Sequence, residues 1–313
     1  MREPLKIFSG TSNIPLAEKI CEILDVKLGD IHISRFKDGE ISIQIKENVR
    51  ATDVFVIQSI CNPGNDNLME LLIMIDAFKR ASADRITAVI PYYGYARQDR
   101  KDKPRVPITS RLVADLLTAA GASRILTMDL HAQQIVGFFN IPVDHLLAMP
   151  VFLEEIKKMD ISNLIIVAPD AGAVERARQY AERLNTDIAI IDKRREEKNK
   201  SDVMHVIGDV KDKNASLIDD MVDTGGTLIN SAIAIKKMGA KSVSSICTHP
   251  VLSENAVENI ESSIIESLIV SNTIPLSPEK VKSNKIHVKS VADLFAKAIK
   301  NIHEGTSISS LFA

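Results

Sequence analysis

A run of acids, threonines and glycines at residues 218–227 (IDDMVDTGGT) carries the most distinctive chemistry of the sequence. Adjacent carboxylates accept hydrogen bonds from sugar hydroxyls, and backbone N–H groups at a helix N-terminus hold a phosphate. An ordinary glycine-containing strand-to-helix turn is the simpler alternative, but it explains neither the acids nor the threonines. We therefore predict a site for a phosphorylated sugar, formed by Asp219, Asp220, Asp223, Thr224, Gly225, Gly226 and Thr227.

Two further polar residues follow apolar, β-rich segments. His131 ends the segment MDLH after the strand RILTM, and Asp170 lies in APDAG after the strand NLIIVA. Imidazole and carboxylate at strand ends can bind a divalent ion, and so sparse a ligand set suits Mg²⁺ better than zinc. The alternatives are a structural histidine and an aspartate that caps the helix beginning near Ala173.

Basic residues collect in two segments without helical or strand periodicity. One spans residues 92–107 and contains Arg97, Gln98 and Arg100; the other spans residues 193–200 and contains Lys193 and Arg195. Such loops could close over phosphates as mobile lids, although charged surface loops often serve only solubility. In this view Arg97 and Gln98 would grip a polyphosphate, and the second cluster would reach an anionic transition state.

The segment IHISRFKDGEISIQI alternates apolar and polar residues around a Lys-Asp-Gly-Glu turn, a pattern typical of a β-hairpin. At its tip Phe36 could stack on a purine, and Asp38 and Glu40 could hydrogen-bond it. A plain hairpin tip is the alternative interpretation.

Most of the chain alternates short apolar strands with amphipathic helical stretches, the pattern of an α/β fold with parallel sheets. The central strand is expected to end where Asp219 and Asp220 begin, and the helix after it to end at Gly239. Ligands of such sheets collect at the carboxyl ends of the strands. The elements therefore predict that the candidate residues lie at sheet edges.

The length suggests two α/β domains, residues 1–148 and 149–313, with a boundary near Leu147 to Val151. Their architecture looks similar, without a residue-level repeat. A last helix over Val291–His303 could pack on either half.

The composition is that of an ordinary globular protein. Lys plus Arg number 39 against 41 Asp plus Glu, so no overall positive field recruits nucleic acid or an anionic membrane. The cysteines, Cys21, Cys61 and Cys247, are odd in number and widely spaced, which favours free thiols in a reducing compartment. Neither a secretory h-region nor a long apolar run is present, so we expect a cytoplasmic location.

The segments FKDGE, YARQDRKDKPR, MDLH, APDAG, DKRR and IDDMVDTGGT, in this order, resemble ribose-phosphate diphosphokinase, also called phosphoribosyl-pyrophosphate synthetase, of the phosphate-activated class. The resemblance covers essentially the whole chain. It implies two type I phosphoribosyltransferase-like α/β domains, each a largely parallel sheet flanked by helices. A phosphoribosyltransferase would share the acidic loop but not the FKDGE hairpin and RQD segment, and a non-catalytic regulatory subunit is a second alternative.

The family resemblance implies transfer of a diphosphoryl group from ATP to the anomeric hydroxyl of ribose 5-phosphate, with Mg²⁺ as cofactor. By this resemblance Lys193 and Arg195 are catalytic, and His131 and Asp170 bind the metal. The residues for ATP are Phe36, Asp38, Glu40, Arg97 and Gln98, and residues 219–220 and 223–227 bind ribose 5-phosphate.

The resemblance further implies a homo-oligomer, typically a hexamer, that phosphate activates and ADP inhibits. Its candidate regulatory residues are Arg50, Arg105, Ser307, Ser309 and Phe312. Asn48 departs from the family pattern, in which serine stands two residues before the arginine.

Overall fold

The structure is a computed structural model that describes residues 4–158, 161–194 and 203–311. The chain forms two compact units. The first comprises Met1–Leu147, Thr273–Pro275 and Ser290–Ala313, and the second comprises Ala148–Asn272 and Leu276–Lys289. The last helix, for which the sequence left both halves open, thus belongs to the first unit.

The first unit is built on a five-stranded parallel sheet in the order β1-β4-β5-β6-β7. A separate antiparallel pair, β2 and β3, forms the predicted hairpin. Its strands are β1 Leu5–Ser9, β2 Ile31–Arg35, β3 Ile41–Ile45, β4 Asp53–Ile57, β5 Arg85–Ile90, β6 Arg124–Met128 and β7 Val143–Leu146. Its helices are α1 Ile14–Leu24, α2 Gly64–Arg80, α3 Thr109–Ala120 and, after the second unit, α9 Ala292–Glu304.

The second unit is built on a seven-stranded sheet in the order β10-β9-β8-β11-β12-β13-β14, parallel except for β10. Its strands are β8 Leu164–Ala168, β9 Asp187–Arg194, β10 Val203–Ile207, β11 Asn214–Val222, β12 Ser242–Pro250, β13 Ser267–Ser271 and β14 Ile286–Lys289. Its helices are α4 Met149–Ile156, α5 Val174–Leu184, α6 Gly226–Lys237, α7 Ala256–Ser262 and α8 Pro278–Val281. The parallel α/β fold expected from the alternating pattern is confirmed.

Each unit has its own apolar core, because the central strands are buried on both faces. Residues of β4 and β8 such as Val54, Val56, Ile165 and Val167 have no accessible surface. The three cysteines are free and buried, as expected from their spacing. Among the described residues, no helix has both the length and the apolar character needed to cross a bilayer.

Two strand boundaries differ from the sequence prediction. β11 does not stop before the acids but continues to Val222, because it keeps pairing with β12 through Val222↔Pro250. β9 likewise continues to Arg194, because the antiparallel partner β10 pairs with it as far as Val203↔Arg194. The backbone of residues 193 and 194 therefore belongs to a strand and not to the predicted loop, and residues 195–200 lie outside the described residues.

The last helix, α9, is anchored to the first sheet. His303 Nδ1 lies 2.8 Å from Asp53 Oδ2, and the guanidinium of Arg85 bridges Asp53 and the carbonyl oxygen of Ile302. Asp53 is buried, so it needs these partners to offset its desolvation. This network attaches the chain end to the first unit.

Candidate active site

The acidic pair lies at the carboxyl end of β11, beyond the last residue that pairs with β8. The side chains of Asp219 and Asp220 are 18% and 5% exposed. Arg176 of α5 places Nη1 3.9 Å from Asp219 Oδ1 and 3.5 Å from Asp220 Oδ1. These separations are long for a hydrogen bond, so the arginine offsets the charge without occupying the carboxylates closely.

Burial and mutual repulsion act together on this pair. They raise the pKa of Asp219 well above its ordinary value, burial contributing most and the charge of Asp220 next. Asp170 raises the pKa of Asp219 further, and Arg176 lowers it. Burial and the neighbouring carboxylates thus disfavour the ionised form of Asp219.

The loop after β11 has the backbone conformation that its glycines allow. Gly225 has φ of +80° and precedes α6, whose first bond runs from Ile229 N–H to Gly225 C=O over 2.9 Å. The carbonyl groups of Val222 and Asp223 accept hydrogen bonds from Leu252 N and Ser253 N at 2.9 and 3.1 Å. The loop is therefore fixed at its base while the first amides of α6 have no helical partner.

The far end of α6 agrees with the prediction. Gly239 has φ of +94° and is separated from the end of the helix by Met238. Its N–H donates to Lys236 C=O at 3.0 Å. The adjacent Ala240 N–H donates to Ile235 C=O at 3.2 Å. This pattern is a glycine C-cap of the expected kind.

Asp170 does what the simpler alternative predicted. Its Oδ1 accepts hydrogen bonds from the N–H groups of Gly172 and Ala173 at 2.9 and 3.1 Å, at the start of the short turn before α5. Both bonds use one carboxylate oxygen, so the cap is compatible with a second role of the side chain.

The donor set around the acidic pair fits Mg²⁺. Carboxylate oxygens are the ligands that this hard cation prefers, and a cation nearby would relieve the repulsion between Asp219 and Asp220. Within the described ranges, no group of three or more His, Cys, Asp or Glu side chains is arranged to hold a metal by itself. Mg²⁺ needs only one or two protein carboxylates, because water and substrate phosphates complete its shell.

His131 lies in the first unit, three residues after β6 ends at Met128. The preceding Asp129 turns the chain with φ of +38°, and Leu130 N–H donates to Nε2 of His145 at 2.9 Å. The predicted position just beyond a strand end is therefore correct, and a side chain of the neighbouring strand β7 holds the turn.

The hairpin tip is a closed turn with an exposed ring. Phe36 N–H donates to Glu40 C=O at 2.8 Å, Gly39 has φ of +95°, and Asp38 Oδ1 accepts from Glu40 N–H at 3.2 Å. Phe36 is 59% exposed, the largest exposed fraction among the large apolar side chains of the described residues. A flat apolar ring held at a rigid tip can stack on a planar ligand.

The segment with Arg97 and Gln98 has no regular helix or strand between Ile90 and Thr109, as predicted. Gln98 is nevertheless ordered against α3, because its side-chain Oε1 accepts from Thr109 Oγ1 and its carbonyl oxygen accepts from Ser110 N–H. Both Arg97 and Gln98 are exposed.

The candidate cationic residues lie at the limit of the described chain. The backbone of Lys193 belongs to β9, and Arg195 lies outside the described residues.

Most candidate regulatory residues are exposed in the first unit. They include Arg50, Arg105, Ser307 and Ser309, whereas Phe312 lies outside the described range. Ser307 Oγ and Ser309 Oγ are 2.6 Å apart, and Asn48 Oδ1 accepts from Arg50 N–H at 3.0 Å. Asn48 thus orders the backbone next to Arg50.

Two residues in these regions escaped the sequence interpretation. Arg176 lies within an ordinary amphipathic helix, and His145 within a short strand, so neither belongs to a recognisable motif. The sequence shows an arginine about two turns after Asp170 and a histidine in a short strand, but neither pattern indicates a function. Their roles follow only from their tertiary contacts, Arg176 with the acidic pair and His145 with the Leu130 amide.

Comparison with known proteins identifies the family. Residues 5–121 match the model of the N-terminal domain of ribose phosphate pyrophosphokinase, and residues 194–313 match a phosphoribosyl synthetase-associated domain. Ribose-phosphate pyrophosphokinases of Clostridium tetani and Clostridium perfringens are each 58% identical, over 99% and 98% of this chain and 98% and 97% of theirs.

A solved structure agrees along the whole chain. The phosphoribosylpyrophosphate synthetase of Mycobacterium smegmatis superposes with a TM-score of 0.92 at 41% identity, covering 97% of this chain and all of that one. The resemblance seen in the motifs is therefore confirmed. With both the sequence and the fold shared from end to end, this chain belongs to the ribose-phosphate pyrophosphokinase family.

Proposed function

We propose that this protein transfers the diphosphoryl group of ATP to the anomeric hydroxyl of ribose 5-phosphate, giving phosphoribosyl pyrophosphate and AMP for nucleotide biosynthesis. The observation that carries the proposal is the loop between β11 and α6, where largely buried acids precede a glycine turn and a helix N-terminus. The names of relatives at 58% identity support the same reaction.

The acceptor sugar is the ligand of the β11–α6 loop. Asp219, Asp220 and Asp223 accept hydrogen bonds from ribose hydroxyls, and residues 224–227 bind the 5-phosphate through amides and hydroxyls. Holding both ends of the sugar orients its anomeric oxygen for attack, so positioning supplies a large part of the rate.

The donor nucleotide is the ligand of the first unit. Phe36 stacks on adenine while Asp38 and Glu40 accept its hydrogen bonds, and the exposure of the Phe36 ring supports this role. Arg97 and Gln98 bind the phosphates of ATP, and the hydrogen bonds that order Gln98 against α3 support a preformed contact.

The reaction forms a bond between the anomeric oxygen and the β-phosphorus and breaks the bond from that phosphorus to the oxygen bridging it to the α-phosphorus. AMP leaves with that oxygen, and the hydroxyl proton is lost to solvent or phosphate. Lys193 and Arg195 stabilise the charge on the nonbridging oxygens. His131 and Asp170 hold Mg²⁺, which neutralises phosphate charge when bound.

Lys193→Ala tests the catalytic assignment. We expect a loss of about 3 kcal/mol of transition-state stabilisation, the value typical of one preorganised donor. Lys211→Ala, an exposed lysine of the same unit, serves as the matched control and should retain full activity. Activity of Lys193→Ala within about tenfold of the parent protein contradicts the assignment.

The reaction itself is tested by incubating the purified chain with ATP, Mg²⁺ and ribose 5-phosphate. Equimolar AMP and phosphoribosyl pyrophosphate are the expected products. ADP would indicate ordinary γ-phosphoryl transfer, and activity only with a nitrogenous acceptor and preformed phosphoribosyl pyrophosphate would indicate a phosphoribosyltransferase. No product under any condition would indicate a silent regulatory subunit.

Assembly and regulation complete the proposal. The chain forms a cytoplasmic homo-oligomer, a hexamer by family analogy, that phosphate activates and ADP inhibits through Arg50, Arg105, Ser307, Ser309 and Phe312. The exposure of the four described residues of this set supports a role in binding. Sedimentation velocity tests the assembly, and a rate that does not respond to phosphate or ADP would refute the regulatory part alone.

A further inference from the structure

The turn that presents His131 is fixed by a side chain from another strand. After β6 ends at Met128, Asp129 N–H donates to Leu146 C=O at 3.0 Å and Leu130 N–H donates to His145 Nε2 at 2.9 Å. The two bonds come from consecutive amides and both end on β7. They hold the peptide immediately before His131.

The second of these bonds restricts the chemical state of His145. An imidazole nitrogen that accepts a hydrogen bond must carry a lone pair, so Nε2 is unprotonated and the ring proton is on Nδ1. An imidazolium ring could not accept this bond. Leu130 is 2% exposed, so loss of the acceptor would leave its amide in a poorly solvated position.

The second unit shows that the fold alone does not require this histidine. Its strands β13 and β14 pair over four residues in the same register as β6 and β7, so Lys289 matches Leu146 and Val288 matches His145. The first bond recurs, because Asn272 N–H donates to Lys289 C=O at 3.2 Å. Val288 carries no acceptor, so the imidazole contact is an addition specific to the unit that contains His131.

We infer that His145 is a positioning residue for the metal-binding role of His131. Its Nε2 fixes the Leu130 amide and thereby the direction in which the next residue leaves the turn. The inference rests on the proposed function, since His131 matters to catalysis only if it serves the diphosphoryl transfer. Mutation of a residue that orients a metal ligand without contacting the metal typically lowers metal affinity or activity by about 10- to 100-fold.

The test compares three variants. His145→Val introduces the side chain that the second unit accepts at the matching position, and His145→Gln retains an oxygen acceptor. His287→Ala, on the exposed face of β14, is the control histidine. Thermal unfolding of each variant verifies that it folds.

The first readout needs no metal. Backbone hydrogen exchange across residues 129–131 should be about tenfold faster in His145→Val than in the parent protein. In His145→Gln the exchange rate should return towards that of the parent, and in His287→Ala it should equal that of the parent. In the parent protein, ¹⁵N NMR of the histidine rings should show His145 protonated on Nδ1 only. This measurement remains decisive if His145→Val does not fold, because an Nε2–H tautomer excludes the contact and overturns the inference.

The second readout separates positioning from structural support. The Mg²⁺ concentration for half-maximal rate should rise about tenfold in His145→Val and recover in His145→Gln, while the KM for ribose 5-phosphate stays within about twofold. An active parent protein with an unchanged Mg²⁺ requirement in His145→Val would overturn the inference and leave the proposed function intact. A parent protein without diphosphoryl transfer would overturn the proposed function and this role with it.

Discussion

The two units share a core of five strands connected in the same chain order, β1-β4-β5-β6-β7 in the first and β8-β11-β12-β13-β14 in the second. Their ladders also begin in the same register, with Leu5↔Asp53 in one and Leu164↔Asn214 in the other. Gln58 and Ser59 of the first unit therefore match Asp219 and Asp220 of the second. The same edge of the same fold carries neutral groups in one unit and carboxylates in the other.

The first unit satisfies this edge with its own side chains. Gln58 Oε1 accepts from the N–H and hydroxyl of Ser12 at 3.0 and 2.6 Å, and its Nε2 donates to Glu70 Oε1 at 2.7 Å. Glu70, from α2, also accepts from the N–H and hydroxyl of Thr11 at 2.6 and 3.0 Å. A Cβ on Gly10 would lie 2.4 Å from Gln58 Oε1, so the cluster leaves no spare room.

The second unit has no carboxylate at the helix position that completes the first edge. In the register that matches Gln58 with Asp219, the position of Glu70 corresponds to Ser231 of α6, whose buried hydroxyl has no hydrogen-bond partner among the described residues. The acids there lie 3.9 and 3.5 Å from the guanidinium of Arg176, and Asp219 Oδ1 accepts from Asp220 N–H at 2.8 Å. A buried polar network completed from within stabilises a fold, whereas one left incomplete marks a place for a ligand.

The largest expected effect tests the second edge. The double variant Asp219→Asn and Asp220→Asn replaces both carboxylates of that edge with amides. It should lower kcat/KM by a factor that corresponds to about 3 kcal/mol or more of lost transition-state stabilisation, the sum of two charge-assisted hydrogen bonds. Steady-state kinetics with ribose 5-phosphate varied at saturating ATP measures it. A loss below about tenfold would mean that the acids do not hold the sugar.

Glu70→Ala tests the first edge by stability instead of activity. Removal of the carboxylate leaves the amide of Thr11 without its acceptor and Gln58 Nε2 with only the carbonyl oxygen of Asn67 at 3.3 Å, so we expect about 2–3 kcal/mol of destabilisation. The KM for ribose 5-phosphate should not change. Urea unfolding measures the first quantity, and Glu18→Ala, exposed on α1, provides the control. A variant as stable as its parent would refute the closed network.

Much of this arrangement followed from the sequence. Strand alternation predicted the parallel sheets, the Lys-Asp-Gly-Glu turn predicted the hairpin, and Gly225 and Gly239 marked the ends of α6. These features are local, so residue type and spacing determine them. The end of β11 was placed too early, because aspartate disfavours strands and only pairing with β12 extends it.

Long-range partners could not be predicted in the same way. Thr11 and Glu70 lie 59 residues apart, and Leu130, in the turn after β6, lies 15 residues from His145 on β7. The periodicity of a segment does not indicate which residue of a distant segment it contacts. The contrast between a closed and an open edge therefore emerges only after the registers of both sheets are known.

The glycines of the two loops form a matched pair for a smaller effect. Gly225 has φ of +80°, and the corresponding Gly64 begins α2 without a positive φ and with open space at its Cβ position. Gly225→Ala should raise the KM for ribose 5-phosphate about tenfold, since the strained backbone costs about 1–2 kcal/mol. Gly64→Ala should leave the KM unchanged. Equal responses of the two variants would contradict the assignment of the phosphate to the second loop.

The smallest effect concerns the stability of the ligand-free protein. The pKa of Asp219 is raised by burial and by Asp220, so the folded chain binds this proton more tightly than the unfolded chain does. The tighter binding of this proton stabilises the folded chain fully below the ordinary aspartate pKa of about 3.9. This stabilisation is lost as the pH rises through the raised pKa of Asp219 in the folded chain. At pH values above the ordinary aspartate pKa, the raised pKa of Asp219 therefore opposes folding.

Asp219→Asn removes this opposition. Without Mg²⁺ and substrates, the variant should be more stable than its parent by about 1 kcal/mol at pH 7.5, and the advantage should shrink as the pH is lowered towards 4. Denaturant unfolding at both pH values measures it. Since a carboxylate needed only for folding would show the opposite sign, a less stable variant at pH 7.5 would mean that the second edge, like the first, is satisfied from within.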